Sequence, residues 1–142
     1  MHILMCNDDG ILADGLRRLA SYLSHYYRIT VVAPANEQSA KSHALTTEIP
    51  LKLDAYNGED ENPRLYALTG TPSDCMKFGL SYLLTDDMPD LVISGINHGF
   101  NLGSDVLYSG TVSAAMESCF YGIPGLALSV ERYSPERGDE MH

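Results

Sequence analysis

Short apolar runs alternate with segments of helical hydrophobic spacing along most of this 142-residue chain. An apolar run of a few residues followed by turn residues is typical of a buried parallel strand. The predicted strands are the run that ends before Asp8, and residues Arg28–Ala33, Asp90–Ile96 and Leu126–Val130. Because strands and helices alternate, with right-handed crossovers expected between parallel strands, the pattern predicts an α/β fold with a mostly parallel sheet.

Helices are predicted between these strands, where apolar residues recur three and four positions apart. The first begins at Asp14, and the second begins at Thr71-Pro72-Ser73-Asp74, which combines a hydroxyl cap with a proline at the first helical position. The third begins at Ser109-Gly110-Thr111 and ends at Gly122 and Pro124. The apolar faces expected to pack on the core are Leu16, Leu19, Ala20 and Leu23; Met76, Leu80, Leu83 and Leu84; and Val112, Ala115, Met116, Cys119 and Phe120.

Two further strands are predicted on either side of a polar, acidic loop, at Ile49–Tyr56 and Arg64–Thr69, and we expect them to form an antiparallel hairpin. The polar segment from Pro34 to Thr47 has no period and is expected to be a loop. With 44% hydrophobic residues the chain can form a real core. We expect one domain over residues 1–130 and a charged tail over residues 131–142.

The net charge and the positions of the cysteines limit which partners and which cellular location are expected. The 19 acidic and 9 basic residues give a net charge of −10, which repels nucleic-acid phosphates, so no polymeric nucleic-acid partner is expected. Cys6, Cys75 and Cys119 lie in apolar patterns without C-x-x-C spacing and are expected to be small core residues. Since no signal-like start and no apolar run of about 18 residues is present, we expect a cytoplasmic protein with no membrane partner.

The first predicted strand ends in two adjacent carboxylates, Asp8 and Asp9. Ligands bind at the carboxyl ends of parallel strands, where Ser39 and Asn97 are also expected to lie. Two carboxylates, a hydroxyl and an amide would together form an oxygen site for one divalent ion, Mg²⁺ or Mn²⁺. The alternative is structural, because Asp-Asp-Gly is good turn sequence and loop Ser and Asn residues commonly form turns.

A second candidate site lies at the start of the third predicted helix, Ser109-Gly110-Thr111. Main-chain N–H groups and hydroxyls at a helix N-terminus bind anions, although an ordinary helix cap has the same composition. A metal site and an anion site together indicate phosphoryl chemistry. On this hypothesis, replacing Gly110 by Val should block phosphate while the metal ligands, on other loops, stay unaffected.

Common nucleotide and hydrolase motifs are missing from the sequence. Neither G-x-x-x-x-G-K-[ST] nor G-x-G-x-x-G occurs, which argues against a P-loop NTPase or a dinucleotide oxidoreductase. The G-x-S-x-G nucleophile elbow does not occur either. The phosphoryl-transfer hypothesis therefore depends on the acids and the helix start.

Several motifs resemble those of the survival-protein-E (SurE) family of metal-dependent 5'-nucleotidases, and they occur in the family's order. The likeness extends from residue 1 to about Ser129, although the family's chains usually continue further at the C-terminus. The matching motifs are Asn7-Asp8-Asp9-Gly10-Ile11, Val32-Ala33-Pro34, Gln38-Ser39, Gly70-Thr71-Pro72-Ser73-Asp74-Cys75, Ser94-Gly95-Ile96-Asn97 with Gly99 and Asn101-Leu102-Gly103, and Tyr108-Ser109-Gly110-Thr111-Val112.

The resemblance implies a Rossmann-like, three-layer α/β fold and the hydrolysis of nucleoside 5'-monophosphates, with 3'-nucleotides or short polyphosphate as further substrates. It implies a homodimer or homotetramer. The alternative is a shortened, catalytically weak module that binds metal and nucleotide and acts through assembly. The resemblance implies that Asp8, Asp9, Ser39 and Asn97 bind the metal. We further predict that Asp8 and Asp9 act in catalysis and that the substrate phosphate is bound by Asn101, Ser109, Gly110 and Thr111.

Overall fold

The computed structural model describes residues 1–36, 50–98 and 110–130. None of the helices in these ranges combines the length and the apolar character needed to cross a membrane. The strands are His2–Cys6 (β1), Arg28–Pro34 (β2), Leu53–Ala55 (β3), Arg64–Leu68 (β4), Leu91–His98 (β5) and Gly125–Val130 (β6). The helices are Asp14–Leu23 (α1), Pro72–Phe78 (α2), which continues into a π-helical turn at Gly79–Leu83, and Gly110–Cys119 (α3).

The strands form one six-stranded sheet in the order β3-β4-β2-β1-β5-β6. β1 lies between two parallel neighbours, with Ile3 opposite Ile29 of β2 on one side and Leu91 of β5 on the other. β4 and β6 extend the parallel part of the sheet, while β3 pairs antiparallel with β4. The predicted mostly parallel sheet and the predicted antiparallel hairpin are both confirmed.

Helices cover both faces of the sheet, which makes the fold three-layered. α1 packs against β1, β2 and β5 on one face, and α2 and α3 pack on the other. Residues of β1 alternate accordingly, because Ile3 and Met5 join the cluster under α1 while Leu4 and Cys6 join the cluster under α2 and α3. Every residue of β1 is buried, as expected for the middle of a covered parallel sheet.

α2 begins as the sequence predicts. Asp74 N–H donates to Thr71 Oγ1 at 3.2 Å, and Thr71 N–H donates to Asp74 Oδ2 at 2.8 Å. This reciprocal pair is a capping box, and Pro72 at the first helical position lacks the N–H that would otherwise be unpaired. The start of α2 is therefore fixed by local sequence.

The apolar face predicted for α3 is wrong for its large residues, although Ala115 is buried as predicted. Met116 and Phe120 are 47% and 79% exposed, and Cys119 is exposed as well, whereas Ala114, Ala115 and Ser118 are buried. The reason is close packing on β6, since a Cβ placed on Gly125 would lie 2.6 Å from Ser118 Oγ. Such an approach admits only small side chains, so the helix turns its large ones outward. The expectation of a buried cysteine holds for Cys6 and Cys75 but not for Cys119.

Two strand boundaries also differ from prediction. β3 comprises only Leu53–Ala55, shorter than the predicted Ile49–Tyr56. β5 continues to His98, so Asn97 lies within a strand and not in the loop after it. The loop predicted from Pro34 to Thr47 falls mostly outside the described residues, although Pro34 itself belongs to β2.

His2 is buried at the amino end of the sheet and is held at both ring nitrogens. Nδ1 lies 3.1 Å from the carbonyl oxygen of Asp87 and Nε2 lies 2.8 Å from Thr30 Oγ1. Because the carbonyl can only accept, Nδ1 donates, and Nε2 of the neutral ring accepts the Thr30 hydroxyl. Burial and the neighbouring Arg28 lower the pKa of His2 below its usual value of 6.5, against the opposing effect of Asp87.

We predict that the protein loses stability through His2 as the pH falls below 6.5. Because the folded-state pKa is lowered, the unfolded chain binds the proton more readily. The contribution of His2 is therefore complete above the unfolded pKa and is lost as the pH falls through the folded pKa, by about 1.4 kcal/mol for each unit of difference. Urea unfolding on both sides of pH 6.5 measures this. His2→Gln should show a smaller loss, and parallel losses in the two proteins would contradict the assignment.

Candidate functional site

The acid pair follows β1 directly, at the carboxyl edge of the sheet. β1 ends at Cys6, and Asp8 and Asp9 follow in a short turn before α1. Asp8 is buried, with 8% of its surface exposed, while Asp9 is half-buried. A carboxylate this deeply buried needs favourable neighbours, so its surroundings decide what the site can hold.

The turn that carries the acids is tied to the end of β2. Ile11 N–H donates to the carbonyl oxygen of Pro34 at 2.8 Å. Gly10 has a φ of +105°, and a Cβ placed on it would lie 3.2 Å from the same oxygen. The position therefore requires glycine. Since the chain leaves β2 at Pro34 toward Ser39, the acid turn and the start of that segment are neighbours.

Asn7 is a site residue that sequence reasoning did not single out. Its Oδ1 accepts a hydrogen bond from Gly10 N–H at 3.1 Å, and its Nδ2 donates to the Gly10 carbonyl at 2.8 Å. The available signal was its place in Asn-Asp-Asp-Gly, since asparagine commonly bonds to main-chain groups of its own turn.

Asn97 lies at the same edge of the sheet as the acid pair, after an irregularity in the pairing of β5 with β6. β5 pairs with β6 at Ser94 and Ala127, and again at Asn97 and Ser129, so β5 advances by three residues where β6 advances by two. A bulge of this kind re-aims the side chains that follow it. Gly95 permits it, because its φ is +139° and a Cβ there would lie 2.5 Å from the Leu128 carbonyl oxygen. β5 is the parallel neighbour of β1, so Asn97 and the acids share one edge.

The start of α3 lies directly against Asp8. A Cβ placed on Gly110 would be 2.5 Å from Asp8 Oδ1 and 2.9 Å from its Cγ. Asp8 of the predicted acid site and Gly110 of the predicted anion site are thus adjacent. This overturns one expectation: Gly110→Val would not leave the metal ligands unaffected, because the added carbon would strike Asp8 itself.

Thr111 follows Gly110 and is fully buried. Its Oγ1 has no hydrogen-bond partner within the part of the chain that the structure describes. A buried hydroxyl in the first turn of a helix, on the residue after the one that contacts Asp8, is suited to bind an oxygen of an added group. Ser113, two residues further, instead donates to the Gly110 carbonyl at 3.1 Å.

Ser39, Asn101 and Ser109 lie outside the described residues, so their predicted roles stay predictions. Over residues 1–36, 50–98 and 110–130, no group of three or more His, Cys, Asp and Glu side chains is arranged to hold a metal ion. The structure places Asp8, Asp9, Asn97, Gly110 and Thr111 at one edge of the sheet.

Comparison with known proteins shows the family of this chain. The family model described as survival protein SurE matches residues 3–142. The chain belongs to the SurE family. The 5'-nucleotidase SurE of Thermoanaerobacter sp. (strain X514) is 54% identical over 129 residues, which cover 91% of this chain and 50% of that protein. The 5'-nucleotidase SurE of Vibrio vulnificus (strain YJ016) is 50% identical over 130 residues, covering 92% and 49%.

The fold is also similar to that of a solved SurE protein. The crystal structure of the SurE protein from Aquifex aeolicus superposes with a TM-score of 0.82 at 41% sequence identity, over 95% of this chain and 53% of that one. The predicted Rossmann-like fold is confirmed. The chain spans about half the length of the SurE proteins it matches.

We predict that Gly110→Ala weakens metal binding as well as phosphate binding. The methyl group would have to displace the Asp8 carboxylate, which lies 2.5 Å from the ideal Cβ position. Calorimetric titration with Mn²⁺ and then with phosphate measures both. Gly58→Ala is the matched control, because the nearest atom to its Cβ is Glu61 Cγ at 3.9 Å. Unchanged Mn²⁺ affinity in Gly110→Ala would show that Asp8 is not a ligand or can move without loss.

Proposed function

We propose that this chain is a metal-dependent 5'-nucleotidase domain, which hydrolyses nucleoside 5'-monophosphates to nucleoside and phosphate. The observation that carries the proposal is the contact of Asp8 with the first residue of α3. It brings a carboxylate site for a cation against a helix N-terminus suited to an anion, the pair of functions that phosphate-ester hydrolysis requires. The matched relatives are named 5'-nucleotidase SurE, which supports the proposal.

The residues present fit a hard divalent cation, Mg²⁺ or Mn²⁺. Asp8, Asp9 and Asn97 supply oxygen donors at one edge of the sheet, and Ser39 would add a hydroxyl. The absence of a side chain at position 110 lets α3 begin directly against Asp8, because a Cβ there would lie 2.5 Å from Asp8 Oδ1. A bound ion supplies charge neutralisation at the phosphoryl group.

The chain's own residues would orient and charge-balance the reaction. The carboxylate of Asp8 or Asp9 takes the proton of the attacking water while the oxygen of that water bonds to phosphorus. The bond from phosphorus to the nucleoside oxygen breaks, and that oxygen takes up a proton from solvent and leaves as the nucleoside hydroxyl. Main-chain N–H groups at the start of α3 and the Thr111 hydroxyl hold the phosphoryl oxygens, together with Ser109 and Asn101. The protein thus mainly positions groups and neutralises charge.

The second candidate is a binding module with weak catalysis, acting through assembly. The chain spans about half the length of the matched SurE proteins. Activity toward 3'-nucleotides and polyphosphate and a cytoplasmic location also stay predictions. Phosphate release separates the two candidates, since a binding module would take up Mn²⁺ and AMP without turnover.

Self-association, as a homodimer or homotetramer, is part of the same proposal. β6 is the last strand of the described sheet, and Leu126 on it is 46% exposed. Met116 of α3 and Phe120, which follows the helix, are exposed as well. An edge strand and exposed apolar side chains both favour association, and a second copy of the chain offers the same groups.

We predict that Asp8→Asn or Asp9→Asn lowers Mn²⁺ affinity and abolishes phosphate release from AMP and GMP, while the folded apo protein is as stable or slightly more stable. Removing one of two adjacent negative charges relieves their repulsion. Asp14→Asn is the control, because this exposed carboxylate pairs with Arg18 at the start of α1. Phosphate release is measured with and without Mn²⁺ and after chelation. Wild-type turnover in both site variants would mean that the acids only shape the turn.

We also predict concentration-dependent association that Phe120→Ser weakens. The substitution removes the most exposed of these apolar side chains, at 79% exposure, without touching the sheet. Light scattering across a wide concentration range measures the molar mass. Tyr82→Ser, which alters an exposed aromatic residue elsewhere on the surface, is the control. A wild-type protein that stays monomeric throughout would refute the proposed self-association.

A further inference from the structure

Asn7 occupies an unusual place between the sheet and the acid pair. It follows the last residue of β1, precedes Asp8, and is 1% exposed. An amide so deeply buried must have hydrogen-bond partners, and both of its ends bond to the main chain of Gly10. The Asn7 side chain therefore bridges across Asp8 and Asp9, the two residues whose side-chain directions matter most for the cation site.

The hydrogen bonds at Gly10 need a carboxamide. Gly10 N–H donates to Asn7 Oδ1 at 3.1 Å, and Asn7 Nδ2 donates to the Gly10 carbonyl at 2.8 Å. A carboxylate could accept from the N–H but could not donate to the carbonyl, and an alanine could do neither. Both bonds join Asn7 to Gly10, so together they close the turn across Asp8 and Asp9.

The turn also contains two adjacent like charges. Without a cation, Asp8 and Asp9 repel each other, and this repulsion favours conformations that separate them. The asparagine bonds oppose that separation, because they join the residue before the acids to the residue after them. The turn is thereby held in one conformation before any ion arrives.

We infer that Asn7 is a positioning residue for the cation site: it holds the Asp8–Asp9 turn in the conformation that binds the ion and so raises metal affinity. This inference rests on the proposed function, because it assigns Asn7 a part in that same site. Residues that orient metal ligands typically alter affinity by roughly 10- to 100-fold when removed.

The chain offers a matched control in Asn57. Its Nδ2 donates to the Pro63 carbonyl at 2.7 Å, and its Oδ1 accepts from Leu65 N–H at 2.9 Å. The chemistry is the same as that of Asn7, but the bonds close the loop between β3 and β4, away from the acids. Replacing either asparagine by alanine leaves main-chain groups unpaired, so both variants should lose stability.

The test compares Mn²⁺ affinity by calorimetry with the thermal midpoint for wild type, Asn7→Ala and Asn57→Ala. We expect both variants to melt earlier, and only Asn7→Ala to lose Mn²⁺ affinity, by roughly 10- to 100-fold. Asn7→Ser, whose short hydroxyl can satisfy one of the two main-chain groups, should show a smaller loss; it also decides the question if Asn7→Ala does not fold.

Wild-type affinity in the Asn7 variants would overturn the inference. So would an equal loss of affinity in Asn57→Ala, since affinity would then follow stability alone. A wild-type protein that binds no Mn²⁺ would instead refute the cation site of the proposed function, and that result is visible before any substitution is made.

Discussion

The structure depends on one steric constraint: Asp8 and the first residue of α3 occupy neighbouring positions that leave no room for a side chain at Gly110. The constraint links the middle strand of the sheet to a helix that begins more than a hundred residues later in the chain. Pro72 at the start of α2 borders the same space, at 3.2 Å from the ideal Cβ of Gly110. The carboxyl end of β1 and the starts of two helices therefore converge on one carboxylate, which makes this point of the fold the natural place for chemistry.

Much of this arrangement was predictable from sequence because its causes are local or periodic. β1 and β2 are visible in the sequence as apolar runs. Thr71 and Asp74 specify a helix start through their mutual hydrogen bonds, with Pro72 at the first helical position. The rule that parallel strands place their carboxyl ends at one edge was enough to group Asp8, Asp9 and Asn97. The family motifs added the expectation of nucleotidase activity, which neither periodicity nor composition indicates.

The parts that sequence did not reveal have non-local causes. The outward face of α3 follows from the close approach of Gly125 to Ser118, and hydrophobic spacing cannot anticipate a contact that selects small residues over large ones. The contact between Gly110 and Asp8 likewise joins distant segments. The continuation of β5 through Asn97 depends on pairing with β6, which only the folded sheet provides. In each case the cause is a tertiary contact, which the local sequence pattern does not contain.

The irregular pairing in β5 also bears on how this segment can vary in length. Side-chain direction alternates along a strand, so gaining or losing one residue between Ser94 and Asn97 would turn the amide to the opposite face while leaving the ladder before it in place. An insertion in the exposed loop around Gly58, by contrast, would leave the residues at the carboxyl edge of the sheet in place. Homologous chains of different lengths should therefore place their gaps in such outer loops and keep the spacing from Ser94 to Asn97 constant.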